Sequence, residues 1–414
     1  MKKILLLSII ITGILYGKNI SLDNMLDKLS STSYQNELYN KKQEENKSKE
    51  KNYKLDTYNG VQTSVKSSYN DRYEAWETTG KASFGDFYIE GTKTYDDEDY
   101  ATFGVEKNIK TLIYSKNKNE LKKLDMNKEI DRIDYLSNLE NHKIELILLY
   151  KEYKNSELEL KIKQNGINTL QVEKNKLQTS YDMGATSKIE LDSLKMNLNN
   201  LALENKVLKD NLSKIKERFY YNFNIDITNS ILLDISFKKV NYDEIIKKYG
   251  LKELEKKKIQ TNITTENIKY LKYDDKMPDI TVGLERSTRY DENRVVLSFS
   301  KKFFGYNAEL EEEKISLDQQ KISLKQSINE NESEKIKIYN NLYSYETEYQ
   351  VNKNKANLES QKYEIKKLEY TNGKVTYLDV MESFNDYLEY QIAAEKAKNN
   401  FYGYIYELLI RSEL

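Results

Sequence analysis

The sequence of 414 residues contains no cysteine, one proline and one histidine. The absence of cysteine excludes disulfides, thiolate metal sites, thiol nucleophiles and a lipid attached to an N-terminal cysteine. His142 lies in a polar run of helical character, which favours a solvated position on a helix face over a catalytic role. Carboxylates are then the remaining candidate catalytic groups, and no pair of them falls in a recognisable motif. The sequence therefore predicts no metal, no cofactor and no enzymatic activity.

Glycine is also scarce, with 14 residues, and hydrophobic residues make up only 38% of the chain against 32% charged residues. This composition is typical of long helices with much exposed surface rather than of two or three globular domains. The formal net charge is −1, so no broad basic field indicates binding to nucleic acid.

Long hydrophobic runs are missing except at the start of the chain. Met1-Lys2-Lys3 precedes an apolar run from Ile4 to Tyr16, about 13 residues long, where a membrane helix needs roughly 20. The pattern predicts a secretory signal peptide over residues 1–17, and an uncleaved anchor is the alternative. Any membrane span of the exported protein must then consist of β-strands.

A helix–turn–helix pattern occurs twice in the chain, at an offset of 189 residues. A glycine can take positive φ and end the first helix. A hydroxyl three residues later can cap the second helix, and a carboxylate three residues further completes a capping box. The matching pairs are Tyr181 and Tyr370, Gly184 and Gly373, Ser187 and Thr376, and Glu190 and Asp379. Two such turns at corresponding positions indicate an internal repeat.

The clearest periodicity follows the first turn, where apolar residues recur at alternating spacings of three and four. This a/d pattern predicts helix-on-helix packing of the coiled-coil type, with no role in binding a cofactor. The candidate helix seam consists of Leu191, Leu194, Leu198, Leu201, Leu208 and Leu212, with Asn205 inside it.

Two regions alternate between apolar and polar residues, as half-buried or membrane-spanning strands do. Residues 279–303 predict one hairpin, in which Ile280 and Val282 precede a polar turn and Leu297 and Phe299 follow it. Residues 58–109 contain three strand-like runs, near 61–73, 80–95 and 100–109. A chain that leaves the periplasm and returns must cross the membrane an even number of times. Either one run does not span, or a fourth strand lies within 74–79.

The order of elements repeats along the chain. The first repeat, residues 18–225, contains a helix, strands over 58–109, a long helix over 111–181 and a short helix over 185–222. A linker over 226–240 precedes the second repeat, residues 241–414, with a helix over 241–273, strands over 279–303, a long helix over 306–370 and a short helix over 374–411. The long helices have about 70 and 65 residues at 1.5 Å per residue. The shorter helices, counting one over 20–53, span about 105 Å when stacked end to end in pairs, which matches one long helix. A cylinder of uniform height requires that equality.

At this point the chain resembles the TolC family of outer-membrane efflux proteins over nearly its whole mature length. The resemblance depends on the two Tyr-x-x-Gly turns, on the residues from Thr376 to Glu382, and on the order of elements behind a signal peptide. It implies a mainly helical fold with a β-barrel part, in which long antiparallel helical hairpins form a periplasmic tunnel. A transmembrane barrel of twelve strands, four from each subunit, would be completed by trimerisation.

The resemblance also implies the function of an exit duct, in a Gram-negative outer membrane, for a tripartite efflux or type I secretion system. Its partners would be two further copies of the chain, a periplasmic adaptor protein, an inner-membrane transporter and outer-membrane lipid. The turns at Gly184 and Gly373 would lie at the periplasmic end, and Asp96–Asp99 and Asp291–Asn293 outside the cell. The alternative is a non-transporting coiled-coil protein of the periplasm or cell surface.

In the resembled family, acidic residues after the second turn surround the periplasmic entrance of the trimer. The matching residues here are Asp379 and Glu382, which share one helix face. Tyr370 and Glu190 match two members of the polar network that holds this entrance closed, whereas the basic member falls on Val375. The sequence also allows the simpler interpretation that Asp379 serves only as the capping-box partner of Thr376.

Overall fold

A computed structural model of the chain describes residues 19–71, 74–94, 98–303 and 305–413. The predicted signal peptide and residues 96 and 97 of the first predicted polar turn lie outside the described residues. The described part is mainly helical and contains one six-stranded sheet and one two-stranded pair. In this part, no helix carries an apolar stretch long enough to cross a membrane.

Two helices are far longer than the others, with 67 residues in α4 and 64 in α8. Neither contains a proline, and Gly166 in α4 is the only glycine in the two, so nothing in their sequences interrupts the backbone hydrogen bonds. The helices of the described residues are α1 Leu22–Thr32, α2 Tyr34–Leu55, α3 Ile109–Ile113, α4 Lys116–Asp182, α5 Lys188–Phe223, α6 Tyr242–Lys248, α7 Leu251–Lys276, α8 Ala308–Thr371 and α9 Tyr377–Arg411.

Two of the predicted helices are interrupted. The helix expected over 20–53 breaks at Ser33, whose backbone is extended with φ −67° and ψ 139°. The helix expected over 241–273 breaks at Gly250, which has φ +74°. A side chain at position 250 would also collide with Asn331, so the break requires glycine for two reasons.

The strands of the main sheet are all antiparallel to their neighbours, in the order β2-β3-β4-β5-β7-β8. A separate parallel pair joins β1 to β6. Their bounds are β1 Asn19–Ile20, β2 Gln62–Asn70, β3 Ala75–Phe84, β4 Phe87–Lys93, β5 Tyr100–Asn108, β6 Ile231–Leu232, β7 Asp279–Ser287 and β8 Glu292–Ser300.

The first strand region contains four strands, which resolves the parity question that the sequence left open. A fourth strand within 74–79 was one of the two possibilities, and β3 begins there at Ala75. The run near 80–95 is not one strand, because the two-residue turn Gly85-Asp86 divides it. Gly85 has φ +62°, as tight hairpin turns require. The sheet of each chain therefore contains six strands, whereas the resemblance implies that each subunit gives four strands to the barrel.

The chain packs as two compact units, each assembled from segments of both predicted repeats. The helical unit comprises the described residues up to Tyr34, together with 137–250 and 331–413. The sheet unit comprises 35–136 and 251–330, and it contains the whole six-stranded sheet. The repeat boundaries at 18–225 and 241–414 stay a prediction, since they concern the order of elements rather than compactness.

The helical unit is held together by three hydrophobic clusters. One surrounds the fully buried Tyr150 of α4, whose hydroxyl donates to the backbone oxygen of Leu233 at 2.5 Å. A second lies where α4, α5, α8 and α9 meet beside the helix–helix turns, and it contains Leu194 and Phe384. The third joins α6, α8 and α9 around Ile405. Burial of apolar surface at these contacts is the main stabilisation available to helices that are otherwise polar.

The sheet unit has a smaller core, in which Ile268 and Leu271 of α7 pack against Leu310 of α8. Polar contacts support it: the Tyr273 hydroxyl donates to the backbone oxygen of Lys110 at 2.8 Å. The ammonium group of Lys110 lies 2.8 Å from a carboxylate oxygen of Asp274. These contacts fix the ends of β5 and β7 to the helices that adjoin them.

Candidate functional site

The two helix–helix turns have the same backbone geometry. Gly184 has φ +75° and Gly373 has φ +70°. Each glycine N–H donates to the backbone oxygen three residues before it, Tyr181 or Tyr370, at 2.9 Å. The next residue donates to the oxygen five residues before it, so both helices end in a Schellman motif. The repeated sequence therefore encodes a repeated three-dimensional turn.

Both helices that follow the turns begin with a capping box. The Ser187 hydroxyl accepts from the Glu190 N–H at 3.3 Å, and the Glu190 carboxylate accepts from the Ser187 N–H at 3.2 Å. In the second copy the Thr376 hydroxyl accepts from the Asp379 N–H at 3.4 Å, and the Asp379 carboxylate accepts from the Thr376 N–H at 2.8 Å. These bonds satisfy backbone donors that a helix start leaves unpaired.

Glu190 also connects the two turns within the helical unit. The second oxygen of its carboxylate accepts a hydrogen bond from the backbone N–H of Tyr377 at 3.2 Å, across 187 residues of sequence. Burial acts to raise the pKa of Glu190, but hydrogen bonds from the backbones of Ser187 and Tyr377 outweigh it and lower the pKa below its ordinary value. The structure thus brings Glu190 against the start of α9.

Asp379 and Glu382 lie on the first turns of α9 and differ in environment. Asp379 is half-buried, and hydrogen bonds from the Thr376 side chain and backbone lower its pKa. Its capping role is therefore present in the chain, as the simpler interpretation of the sequence held. Glu382 is exposed, and Val375, which stands at the family's basic position, is half-buried. Lys374, which precedes Val375 in the chain, is exposed.

Tyr370 joins a group of aromatic rings beside the second turn. Its ring lies 5.3 Å from that of the buried Tyr377, in an edge-on arrangement. Tyr363 stacks on Tyr387 at 5.9 Å, and burial raises the pKa of Tyr363 to about 12. A cavity of about 330 Å³ adjoins these rings, and Glu173 and Lys367 also line it. The motif identified Tyr370, whereas the surrounding aromatic residues had no distinguishing sequence signal.

Most of the candidate helix seam lies in the interior of the helical unit. Leu191, Leu194, Leu198, Leu201 and Leu212 are buried. Leu208 is only half-buried, so it differs from the other five. Asn205 is buried, and its amide nitrogen donates to the side-chain oxygen of Gln164 on α4 at 3.1 Å. This polar contact explains why an asparagine occupies a seam position.

The six-stranded sheet has one apolar face. Residues that pair directly across strands point to the same side, so the register assigns every side chain to a face. Its large members are exposed in the single chain except Ile280, which is half-buried, and Val65 and Val295 have 76% and 74% of their surface accessible. The large apolar residues of this face are Val65, Tyr69, Trp76, Phe84, Phe87, Ile89, Phe103, Val105, Ile280, Val282, Leu284, Val295, Leu297 and Phe299. Three charged residues lie on the same side near strand ends, Lys93, Lys107 and Arg286.

The opposite face of the sheet is polar and carries charges of both signs. Lys81 lies 4.0 Å from Glu106 on this side, and the Tyr88 hydroxyl donates to Glu285 at 3.1 Å. Val296 is the one large aliphatic residue among its members. The polar face includes Ser64, Lys66, Glu77, Thr79, Lys81, Glu90, Thr102, Glu106, Thr281, Glu285, Arg294 and Ser298.

The sequence alone assigned only part of this sheet to faces. Alternation in 279–303 is regular enough to read directly. Trp76 instead falls between two predicted runs, and Phe84 falls inside the run near 80–95 that the sequence did not divide. Their place on the apolar face follows only from the register. Among the described residues, no cluster of three or more His, Asp or Glu side chains is arranged to hold a metal ion.

The chain was compared with known protein families, sequences and solved structures. No protein-family model matches the chain, and no curated protein matches it in sequence. Solved structures do match it in fold. The outer membrane protein VceC from Vibrio cholerae aligns with a TM-score of 0.69 and 10% identity, over 94% of this chain and 95% of that one.

Two outer-membrane channels align nearly as well. CmeC from Campylobacter jejuni has a TM-score of 0.65 and 11% identity, over 94% of this chain and 85% of that one. MtrE from Neisseria gonorrhoeae, solved in an open state, has a TM-score of 0.65 and 9% identity, over 94% of this chain and 88% of that one. The resemblance inferred from the turns thus extends to the three-dimensional fold, and the chain has the fold of these outer-membrane channels.

Proposed function

We propose that the protein is an outer-membrane channel that serves as the passive exit duct of a tripartite efflux or type I secretion system. The observation that supports this most strongly is the pair of unlike faces on the six-stranded sheet. One face exposes large apolar side chains and the other is polar and charged. A soluble hairpin has no reason to expose such a face, whereas a transmembrane strand needs lipid on one side and water on the other.

The strands have lengths that suit this role. Five of the six contain 9 or 10 residues and β4 contains 7. Tilted strands of about 9–11 residues cross the hydrocarbon core of a bilayer. The apolar face is accordingly assigned to outer-membrane lipid and the polar face to a water-filled lumen. The helices are assigned to the periplasm.

A homotrimer is the proposed assembly. The helical unit supports self-association, because α5 and α8 each carry exposed apolar residues seven positions apart, with one spacing of eight on α8. On α5 these are Ile189, Met196 and Leu203, and on α8 they are Ile336, Tyr343, Val351, Leu358 and Ile365. Such stripes lose contact with water when helices of neighbouring copies pack together.

The likeness of fold supports two further partners. A periplasmic adaptor and an inner-membrane transporter would deliver cargo to the end of the duct at which the turns with Gly184 and Gly373 lie. Met183 is exposed beside the first turn and is available for such contacts. We propose no enzymatic activity and no binding of nucleic acid.

The entrance at these turns is the proposed gate. Three copies of Asp379 and Glu382 would place six carboxylates around a narrow mouth, which attracts cations and repels anions. The exposure of Glu382 supports this role. Glu190 and Tyr370 would help to hold the closed state, because both contact the start of α9 around Tyr377.

The function is tested by expressing the full chain and isolating the outer membrane. A trimeric barrel migrates differently on gels before and after boiling, and the purified protein reconstituted in planar bilayers conducts ions. A periplasmic coiled-coil protein would fractionate as soluble, migrate alike in both samples and leave the bilayer non-conducting. That set of results would overturn the proposal.

A further inference from the structure

The six-stranded sheet is open at both sides. Its outermost strands are β2 and β8. Residues 62–69 of β2 and all nine residues of β8 are exposed in the single chain. An exposed strand edge presents unpaired backbone donors and acceptors, and these cannot remain unpaired inside a membrane. Each edge therefore needs another strand.

The two edges fit each other in direction. Six strands alternate along the sheet, so β2 and β8 run in opposite directions. When β8 of one copy lies beside β2 of the next, the new pair is antiparallel like the others. An odd number of strands would instead force a parallel pair at each junction.

The faces also continue across such a junction. Val65 and Tyr69 of β2 lie on the apolar face, as do Val295, Leu297 and Phe299 of β8. If these residues of β2 and β8 pair with one another at each junction, the apolar side chains of all copies lie on the same side of the continuous sheet. A register shifted by one residue would put Lys66 of β2 on the apolar side, so only registers that match the faces are compatible with a bilayer.

The stagger of the sheet matches that of a closed barrel. A row of directly paired residues leads from Gln62, the first residue of β2, to Arg294 of β8, through Ser83, Tyr88, Gly104 and Glu285. Arg294 lies six residues from Ser300, where β8 ends on the same side of the sheet. At about 3.4 Å per residue, the row is displaced by about 20 Å along the strand direction. Over the same row it crosses five inter-strand distances, which add up to about 24 Å. If these ends lie at one level, the strands tilt by about 40°, as in membrane barrels.

We infer that three copies of this chain close one barrel of 18 strands, six from each copy, by pairing β8 of each copy with β2 of the next. This inference depends on the proposed function, which supplies the membrane and the trimer. It departs from the twelve strands that the resemblance implies. Since barrel diameter grows roughly linearly with strand number, the lumen is about half as wide again as that of a twelve-stranded barrel.

The test uses engineered cysteines in the full chain, which has no native cysteine. Leu297→Cys is combined with Val65→Cys in one variant and with Ser67→Cys in another, since both positions on β2 lie on the apolar face. Oxidation of membranes should join copies into a covalent trimer in at least one variant. The matched control combines Leu297→Cys with Lys66→Cys, which lies on the polar face, and should stay monomeric on denaturing gels.

A competing closure is tested in parallel. If the β2–β3 hairpin lay outside the barrel, β4 would meet β8 of the neighbouring copy and each copy would give four strands. Ile89→Cys with Leu297→Cys would then cross-link in place of the β2 pairs. That result, or a count of 12 strands by cryo-electron microscopy of the protein in nanodiscs, overturns the inference and leaves the proposed duct intact. A protein that neither inserts nor conducts overturns both.

Discussion

Glu190 is the residue through which one turn contacts the other, and its charge matters to that contact. We expect Glu190→Gln to weaken the turn region, because the amide has one acceptor oxygen where the carboxylate accepts from two backbone N–H groups, those of Ser187 and Tyr377. The pKa of Glu190 is lowered in the folded chain, so the stabilisation is complete above the ordinary value of about 4.3 and is lost as pH falls below it. Hydrogen exchange at the Tyr377 amide, compared between wild type and variant, measures this effect.

At pH 7 the Tyr377 amide should exchange faster in the variant, and the difference should shrink below about pH 4. Asp192→Asn is the control, since Asp192 lies exposed near the same end of α5. Equal protection of the Tyr377 amide in wild type and Glu190→Gln at pH 7 would contradict the contact.

Asp379 and Glu382 carry the predicted ion selectivity. The double change Asp379→Asn and Glu382→Gln should reduce the preference for cations and weaken block by multivalent cations, because it would remove six negative charges from the mouth of the proposed trimer. The reversal potential of single channels in a salt gradient measures it. Glu382→Gln alone should give part of the effect without loss of the capping box, which Asp379 makes with Thr376. An unchanged reversal potential in the double variant would refute the gate.

At the scale of the helix, the seam of α5 should contribute packing energy. Leu194 is fully buried, so Leu194→Ala should destabilise the protein by about 2–5 kcal/mol. The neighbouring Lys195 is exposed, and Lys195→Ala should change stability by no more than about 0.5 kcal/mol. Unfolding of the purified protein by denaturant measures both. Leu208→Ala should fall between them, since Leu208 is half-buried. Similar losses from the Leu194 and Lys195 variants would argue against the seam.

At the scale of the whole molecule, the orientation in the membrane can be tested with single cysteines. If the sheet spans the outer membrane, the turn before β8 faces the outside and the turn at Gly373 faces the periplasm. Glu292→Cys should react with a membrane-impermeant thiol reagent on intact cells, and Lys374→Cys should react only after the outer membrane is permeabilised. The cysteine is placed at position 374 and not at 373, because Gly373 has φ +70° and any other residue would be strained in that conformation. Reversed labelling would mean that the orientation is wrong.

The sequence by itself determined the long helices, the two helix–helix turns and the hairpin over 279–303. The two capping boxes and Schellman turns depend on residues within a few positions of one another, so local chemistry is enough to predict them. Long helices followed from the lack of proline and glycine, and regular alternation gave the hairpin over 279–303. The outer-membrane channel fold followed from a resemblance carried by those same local motifs.

Only the tertiary structure decided which distant residues meet. The bond from Tyr377 to Glu190 spans 187 residues, and no local pattern specifies it. The number of strands likewise depended on pairing, because Gly85-Asp86 divides a run that appears continuous in sequence. The faces of the sheet followed from register across six strands, where a shift of one residue exchanges lipid-facing and lumen-facing side chains. Contacts of this kind are fixed by burial and pairing over the whole chain, which a single stretch of sequence does not contain.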